Sequence, residues 1–153
     1  MVRMRSVSTF RASSRSLILM VDDNRDGILA RRSVLEELGY EVISACCGAD
    51  ALKLTQDHDF DLVVTDYKMT PMDGLELIKN LRELEFNQPI ILLSGFVENL
   101  GLRPESTGAD AVVQKSANEV ANLLRHTKRL LNPPRKPNSA TGTTRSRTKV
   151  AGS

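Results

Sequence analysis

The sequence has no tryptophan, and tyrosine and phenylalanine together supply six of 153 residues. Repeated exposed aromatics are what single-stranded nucleic acid stacks on, so that class of binding surface is disfavoured. The core must be aliphatic. Cysteine is nearly absent: Cys46 and Cys47 are the only two, and they are adjacent. Neighbouring cysteines give neither a disulfide framework nor metal-ligand spacing, and they read as a reduced pair at a strand end. No apolar run approaches the roughly 20 residues needed to cross a bilayer. The expected location is cytoplasmic.

Acidic residues are missing from both ends. Residues 1–16 carry Arg3, Arg5, Arg11 and Arg15, and residues 132–153 carry Arg135, Lys136, Arg145, Arg147 and Lys149, with no acid in either stretch. The net charge of +2 therefore conceals a middle with 12 basic and 19 acidic residues, a balance of −7. Residues 1–16 are Ser- and Arg-rich without apolar periodicity and are expected to form a disordered arm. Their composition loosely resembles an organellar transit peptide and lacks the apolar region of a secretory signal. Residues 132–153 are rich in Pro, Ser and Thr and are expected to be a solvated tail. Nucleic-acid contact is disfavoured, and any would fall to these tails and weaken steeply with salt.

Between the tails, five short apolar runs alternate with helical patterns. Leu17–Val21 is a continuous apolar run ending on Asp22-Asp23, the mark of a strand buried on both faces. Arg25 to Leu38 has helical periodicity with Ile28, Leu29, Leu35 and Leu38 on one side, and Gly39 stands where a terminating glycine belongs. Tyr40 to Ala45 reads as a second strand and Gly48 to about Gln56 as a short helix, with Ala51, Leu52 and Leu54 inward. Leu62-Val63-Val64-Thr65-Asp66 is the central strand. Asp73 can cap the next helix, Gly74 to about Glu85, which buries Leu75, Leu77, Ile78 and Leu81. Pro89 to Leu93 is a fourth strand ending on Ser94-Gly95. Gly101 and Pro104 interrupt the following segment, so a short or distorted element is expected. Ala111 to Gln114 is a fifth strand ending on Lys115. Ser116-Ala117-Asn118-Glu119 has the form of a capping box ahead of a helix to about Leu131.

Alternation of this kind implies parallel pairing with right-handed crossovers. The expected fold is a doubly wound α/β sandwich of five βα units, flavodoxin-like, with strand order 2-1-3-4-5 and a switch point between strands 1 and 3. That topology collects Asp22, Asp23 and Asp66 at the carboxyl edge of the sheet. At an effective dielectric near 20, two unit charges 4 Å apart repel by about 4 kcal/mol, so the cluster calls for a compensating cation. Mg²⁺, which favours oxygen ligands and keeps several waters, suits it. Lys115 and Ser94 complete the edge with a cation and a hydroxyl donor. These are the parts of a phosphoryl-transfer site with Asp66 as nucleophile.

Asp22-Asp23, Asp66, Met69 with Met72-Asp73-Gly74, Ser94-Gly95 and Lys115, in this order at successive strand ends, resemble a CheY-like receiver domain of a two-component response regulator. The resemblance covers about residues 17–131. It implies that Asp66 accepts a phosphoryl group from a histidine kinase or phosphotransfer protein. It implies that Asp22 or Asp23, Asp66 and the backbone carbonyl of Lys68 hold Mg²⁺, that Ser94 hydrogen-bonds the acyl phosphate, and that Lys115 pairs with the phosphoryl oxygens. The expected protein is a stand-alone, single-domain phosphoprotein that relays phosphate or binds an output partner and does not turn over substrate.

Three positions depart from the family pattern. Thr70 replaces the proline after Met69, with Pro71 one later. Ser116 follows Lys115 where the family has a cis-proline, which leaves that peptide's isomer open. Val112 stands where many members carry an aromatic coupled to the hydroxyl. The competing expectation is an interaction module that keeps the fold but works without phosphorylation.

Overall fold

The computed structural model describes residues 15–95 and 97–131. The expected arm and tail, apart from Arg15 and Ser16, lie outside these residues. The chain runs β1 (Leu17–Val21), α1 (Arg25–Glu37), β2 (Glu41–Ala45), α2 (Gly48–Asp57), β3 (Leu62–Asp66), α3 (Gly74–Glu83) and β4 (Ile90–Ser94). It continues through two one-turn helices, α4 (Val97–Leu100) and α5 (Pro104–Thr107), to β5 (Ala111–Gln114) and α6 (Glu119–Leu131). The strands form one parallel sheet in the order β2-β1-β3-β4-β5, as the alternation implies.

The period of two along each strand sends successive side chains to opposite faces, and the core divides accordingly. Leu19, Val21, Val63, Ile90 and Leu92 pack with Ala51 of α2 and Leu77, Ile78 and Leu81 of α3. Ile18, Met20, Leu62, Val64, Ile91 and Leu93 pack with Ile28 and Leu35 of α1 and Leu123 of α6. Apolar residues on both faces are the reason these strands read as continuous hydrophobic runs.

Several local expectations hold. Gly39 takes a φ of +98° just past α1, the left-handed conformation that glycine enters at low cost. Asp73 accepts from the backbone N–H of Glu76 at 2.9 Å and caps α3. The segment after β4 is broken as expected: Gly101 turns with φ +64° and Pro104 opens α5.

Others are corrected. Leu29 is 58% and Leu38 44% exposed, because the buried stripe of α1 runs through Ile28, Arg31 and Leu35 and Leu38 falls at the cap. The Ser116–Glu119 box does not close. Ser116 Oγ accepts from the Asn118 N–H at 3.2 Å, and the Glu119 carboxylate is taken by Arg31.

At the end of the sheet opposite the strand-end acids, Arg82 of α3 acts as a clamp. Its Nη1 donates to the carbonyls of Phe86 and Gln88, both at 2.8 Å, and its Nη2 to the Gly108 carbonyl at 3.1 Å and Asp110 Oδ2 at 3.0 Å. Asp110 Oδ2 also accepts from the Ile90 N–H at 2.9 Å, tying the starts of β4 and β5 together. A planar fork serves four acceptors in a way an ammonium does not. Arg82→Ala should lower stability by about 1–2 kcal/mol after allowance for partial exposure, and Arg82→Lys should recover less than half of that in denaturant titrations.

Candidate functional site

The register of the central strands builds the site. Val21 pairs with Thr65 in the β1–β3 ladder, so the next residues on each strand, Asp22 and Asp66, leave the sheet side by side. Asp22 and Asp66 are buried, at 1% and 4% exposure, while Asp23 is exposed. Oxygens of Asp22, Asp23 and Asp66 all lie within 4.8 Å of one another. Capping α1 is left to Asn24, whose Oδ1 accepts from the N–H groups of Asp26 and Gly27 at 2.9 and 3.1 Å. Asp22 and Asp23 are thus spared the capping role that their position before a helix allowed. Clustered carboxylate oxygens are hard donors of the kind Mg²⁺ takes, one or two at a time with waters completing its shell.

Lys115 arrives from the end of β5. Its backbone N–H donates to the Ser94 carbonyl at 2.8 Å, and its Nζ meets Asp66 Oδ1 at 2.6 Å. Thr70–Pro71 is the cis peptide among the described residues. The Lys115–Ser116 peptide is trans, and the lysine reaches the carboxylate from it. Ser94, at 2% exposure, ends β4 one residue beyond Leu93, the partner of Asp66 in the ladder. Lys68 follows two residues after Asp66 in the β3–α3 loop. That loop is packed by buried Met69 and by Met72, whose sulfur lies over Gly48. Both methionines therefore serve packing. His58 leans on Phe60 with ring centroids 5.6 Å apart, and His126 meets Arg129 at 2.9 Å. Neither histidine is in the carboxylate cluster.

Burial holds the Asp66 carboxyl above its ordinary range, and the charge of Asp22 adds to this. The hydrogen bond and charge of Lys115, with the charge of Arg31, pull it back only in part. A carboxyl whose folded pKa is raised gives stability below the ordinary carboxylate range, and that stability is lost as pH rises through the folded pKa. At neutral pH the ionised Asp66 is a net cost. Asp66→Asn should therefore raise the thermal midpoint in EDTA at neutral pH, and the difference should vanish at low pH.

Arg31 is a further residue of the site, one that the strand-end motifs do not reveal. This side chain is 7% exposed and spans two acids, with Nη1 on Asp22 Oδ2 at 2.7 Å and Nε on Glu119 Oε2 at 2.5 Å. Burial works against its charge, but the hydrogen bonds to Glu119 and Asp22 outweigh that and raise its pKa. A signal was present: Arg31 falls between Ile28 and Leu35 on the stripe of α1 that packs inward.

A doubly wound parallel sheet with clustered carboxylates, a lysine and a buried serine at its carboxyl edge defines a class of acid-pocket α/β proteins. The chain belongs to the response regulator receiver domain family, whose model matches residues 18–127. Among curated relatives, it is 36% identical over 102 residues to the alkaline phosphatase synthesis transcriptional regulatory protein PhoP of Bacillus subtilis, covering 64% of this chain and 41% of that protein. It is 40% identical over 68 residues to the virulence sensor protein BvgS of Bordetella pertussis, covering 44% of this chain and 6% of BvgS. The chain spans less than half the length of these relatives. The response regulator TrrA of Thermotoga maritima, solved with Mg²⁺-BeF, superposes with a TM-score of 0.69 at 33% identity over 76% of this chain and 99% of TrrA. The same coverage relates it to the chemotaxis protein CheY4 of Vibrio cholerae, at 28% identity and a TM-score of 0.69. Among the described residues no helix is long and apolar enough to cross a membrane.

Proposed function

We propose that Asp66 accepts a phosphoryl group from a histidine kinase or phosphotransfer protein in a Mg²⁺-dependent reaction. The observation that carries this reading is the Lys115 Nζ–Asp66 Oδ1 contact of 2.6 Å beside the clustered oxygens of Asp22 and Asp23. A carboxylate oxygen of Asp66 attacks phosphorus. The bond from phosphorus to the donor's nitrogen or oxygen breaks, its electron pair leaves with the donor, and an acyl phosphate remains on Asp66. Asp22 or Asp23, Asp66 and the Lys68 carbonyl would hold Mg²⁺, which when bound neutralises charge on the phosphoryl oxygens. Lys115 exchanges its carboxylate partner for a phosphoryl oxygen, and the Ser94 hydroxyl donates to another.

The chemistry ends at one phosphoryl group per Asp66, so the protein is a switch or relay and not a turnover enzyme. A phosphatase of the haloacid dehalogenase type needs a second aspartate two residues after the nucleophile, and here the run is Asp66-Tyr67-Lys68. Support for the kinase as partner comes from TrrA, which has been solved in complex with the histidine kinase ThkA and is 33% identical to this chain. Incubation with acetyl phosphate and Mg²⁺ should give an acid-stable, base-labile adduct, and EDTA should prevent it. No adduct in Mg²⁺ would overturn the reading.

A second reading, an interaction module that works without phosphorylation, draws on the readout face. There α4 and α5 are single turns, and half-buried Val112 takes the place of an aromatic. It requires that Asp66→Asn leave partner binding unchanged.

A further inference from the structure

We propose that Arg31 is a resident counter-cation of the carboxylate pocket, which positions Asp22, is steadied by Glu119, and sets how tightly the pocket takes a divalent cation. This rests on the metal-binding part of the reading above and not on phosphoryl transfer.

Arg31 reaches the pocket from the second turn of α1, and its room there is built in. A Cβ on Gly27 would lie 3.0 Å from Arg31 Nη1 and 3.1 Å from Asp22 Oδ2, tighter than ordinary contact, so the bare glycine lets the guanidinium lie against the carboxylate. Both Asp22 oxygens already have donors: the Asn24 N–H on Oδ1 at 2.9 Å and Arg31 on Oδ2 at 2.7 Å. The remaining lone pairs can still serve a metal or its water, but a divalent ion arriving there meets a buried positive charge. Glu119, 88 residues on in sequence, offsets that charge from the far side. It also sits four residues after Lys115, so one guanidinium braces Asp22 and the start of the helix behind the lysine loop.

This arrangement makes two substitutions act in opposite directions. Arg31→Met removes the competing charge and frees Asp22 Oδ2, so Mg²⁺ should bind more tightly, by roughly tenfold. Glu119→Gln leaves the Arg31 charge unopposed, so Mg²⁺ should bind more weakly, by about threefold. A merely structural brace predicts the same direction for both, because either change would loosen the pocket.

The test is calorimetric titration of the full chain and both variants with MgCl2, without phosphodonor, alongside thermal melts in EDTA and in saturating Mg²⁺. The melting difference between those two conditions should be larger for Arg31→Met than for wild type, since the metal takes the place of the lost cation. If Arg31→Met does not fold, Arg31→Gln, which keeps a hydrogen-bond donor for Asp22 and loses only the charge, takes its place and should likewise bind Mg²⁺ more tightly than wild type. Equal affinities, or weakening in both variants, overturn the proposal. Opposite shifts in a protein that forms no adduct would retire the phosphoacceptor reading and keep this one. Unchanged affinities in proteins that still form the adduct would do the reverse.

Discussion

Asp66→Asn is expected to reduce adduct formation from acetyl phosphate by at least about a hundredfold, to background, because a neutral amide oxygen is not a competent nucleophile at this pH. The loss should be chemical and not structural. The variant keeps Asp22, Asp23, Ser94 and Lys115, and it removes the charge whose burial raises the Asp66 pKa, so it should melt above wild type in EDTA. A variant that is more stable and yet inert separates nucleophile from scaffold. Retained adduct at wild-type level would move the phosphoacceptor elsewhere. Gel mobility in a phosphate-binding matrix, read before and after mild base, measures this directly.

Gly74→Ala should be the most damaging conservative change to the fold. A Cβ at this first residue of α3 would lie 2.4 Å from the Asp66 carbonyl oxygen, 2.9 Å from Tyr67 Cα and 2.9 Å from Leu92 Cδ1. Two of those three atoms are backbone and cannot rotate away. Gly74 also donates its N–H to the Tyr67 carbonyl at 2.8 Å, so helix and loop cannot separate without losing that bond. Overpacking of this kind costs about 3 kcal/mol, and the thermal midpoint should fall by more than about 10 °C. Because the clash is with the Asp66 backbone itself, adduct formation should fall with stability even at temperatures where the variant is folded. Gly95→Ala, where a Cβ meets nothing within 4 Å, is the control and should be within about 0.5 kcal/mol of wild type.

The sheet was legible because both of its faces are covered. Leu17–Val21, Leu62–Thr65 and Ile90–Leu93 are apolar at nearly every position, and a strand buried on both sides leaves that mark. The site was legible for a related reason: a carboxylate or lysine that closes an apolar run must sit at a sheet edge, and parallel pairing puts such ends together. Contacts between side chains distant in sequence were less readable. Glu119 has the spacing of a capping residue, and nothing local reveals that a guanidinium 88 residues earlier claims it. Leu29 has the spacing of a core residue, but Arg31 occupies the inward stripe instead. The trans Lys115–Ser116 peptide could not be read from the residue pair alone, since the geometry that brings Lys115 to Asp66 is set by the β5 hydrogen bond to Ser94.

A switch or relay of the kind proposed requires that Asp66 take the phosphoryl group. Peptide mass mapping of the full chain after acetyl phosphate and Mg²⁺ tests it most directly. The expected result is one added phosphoryl group on the peptide containing Asp66, absent when EDTA is present. A phosphoryl group on a different residue, or none on a protein that is folded and supplied with Mg²⁺, would contradict it.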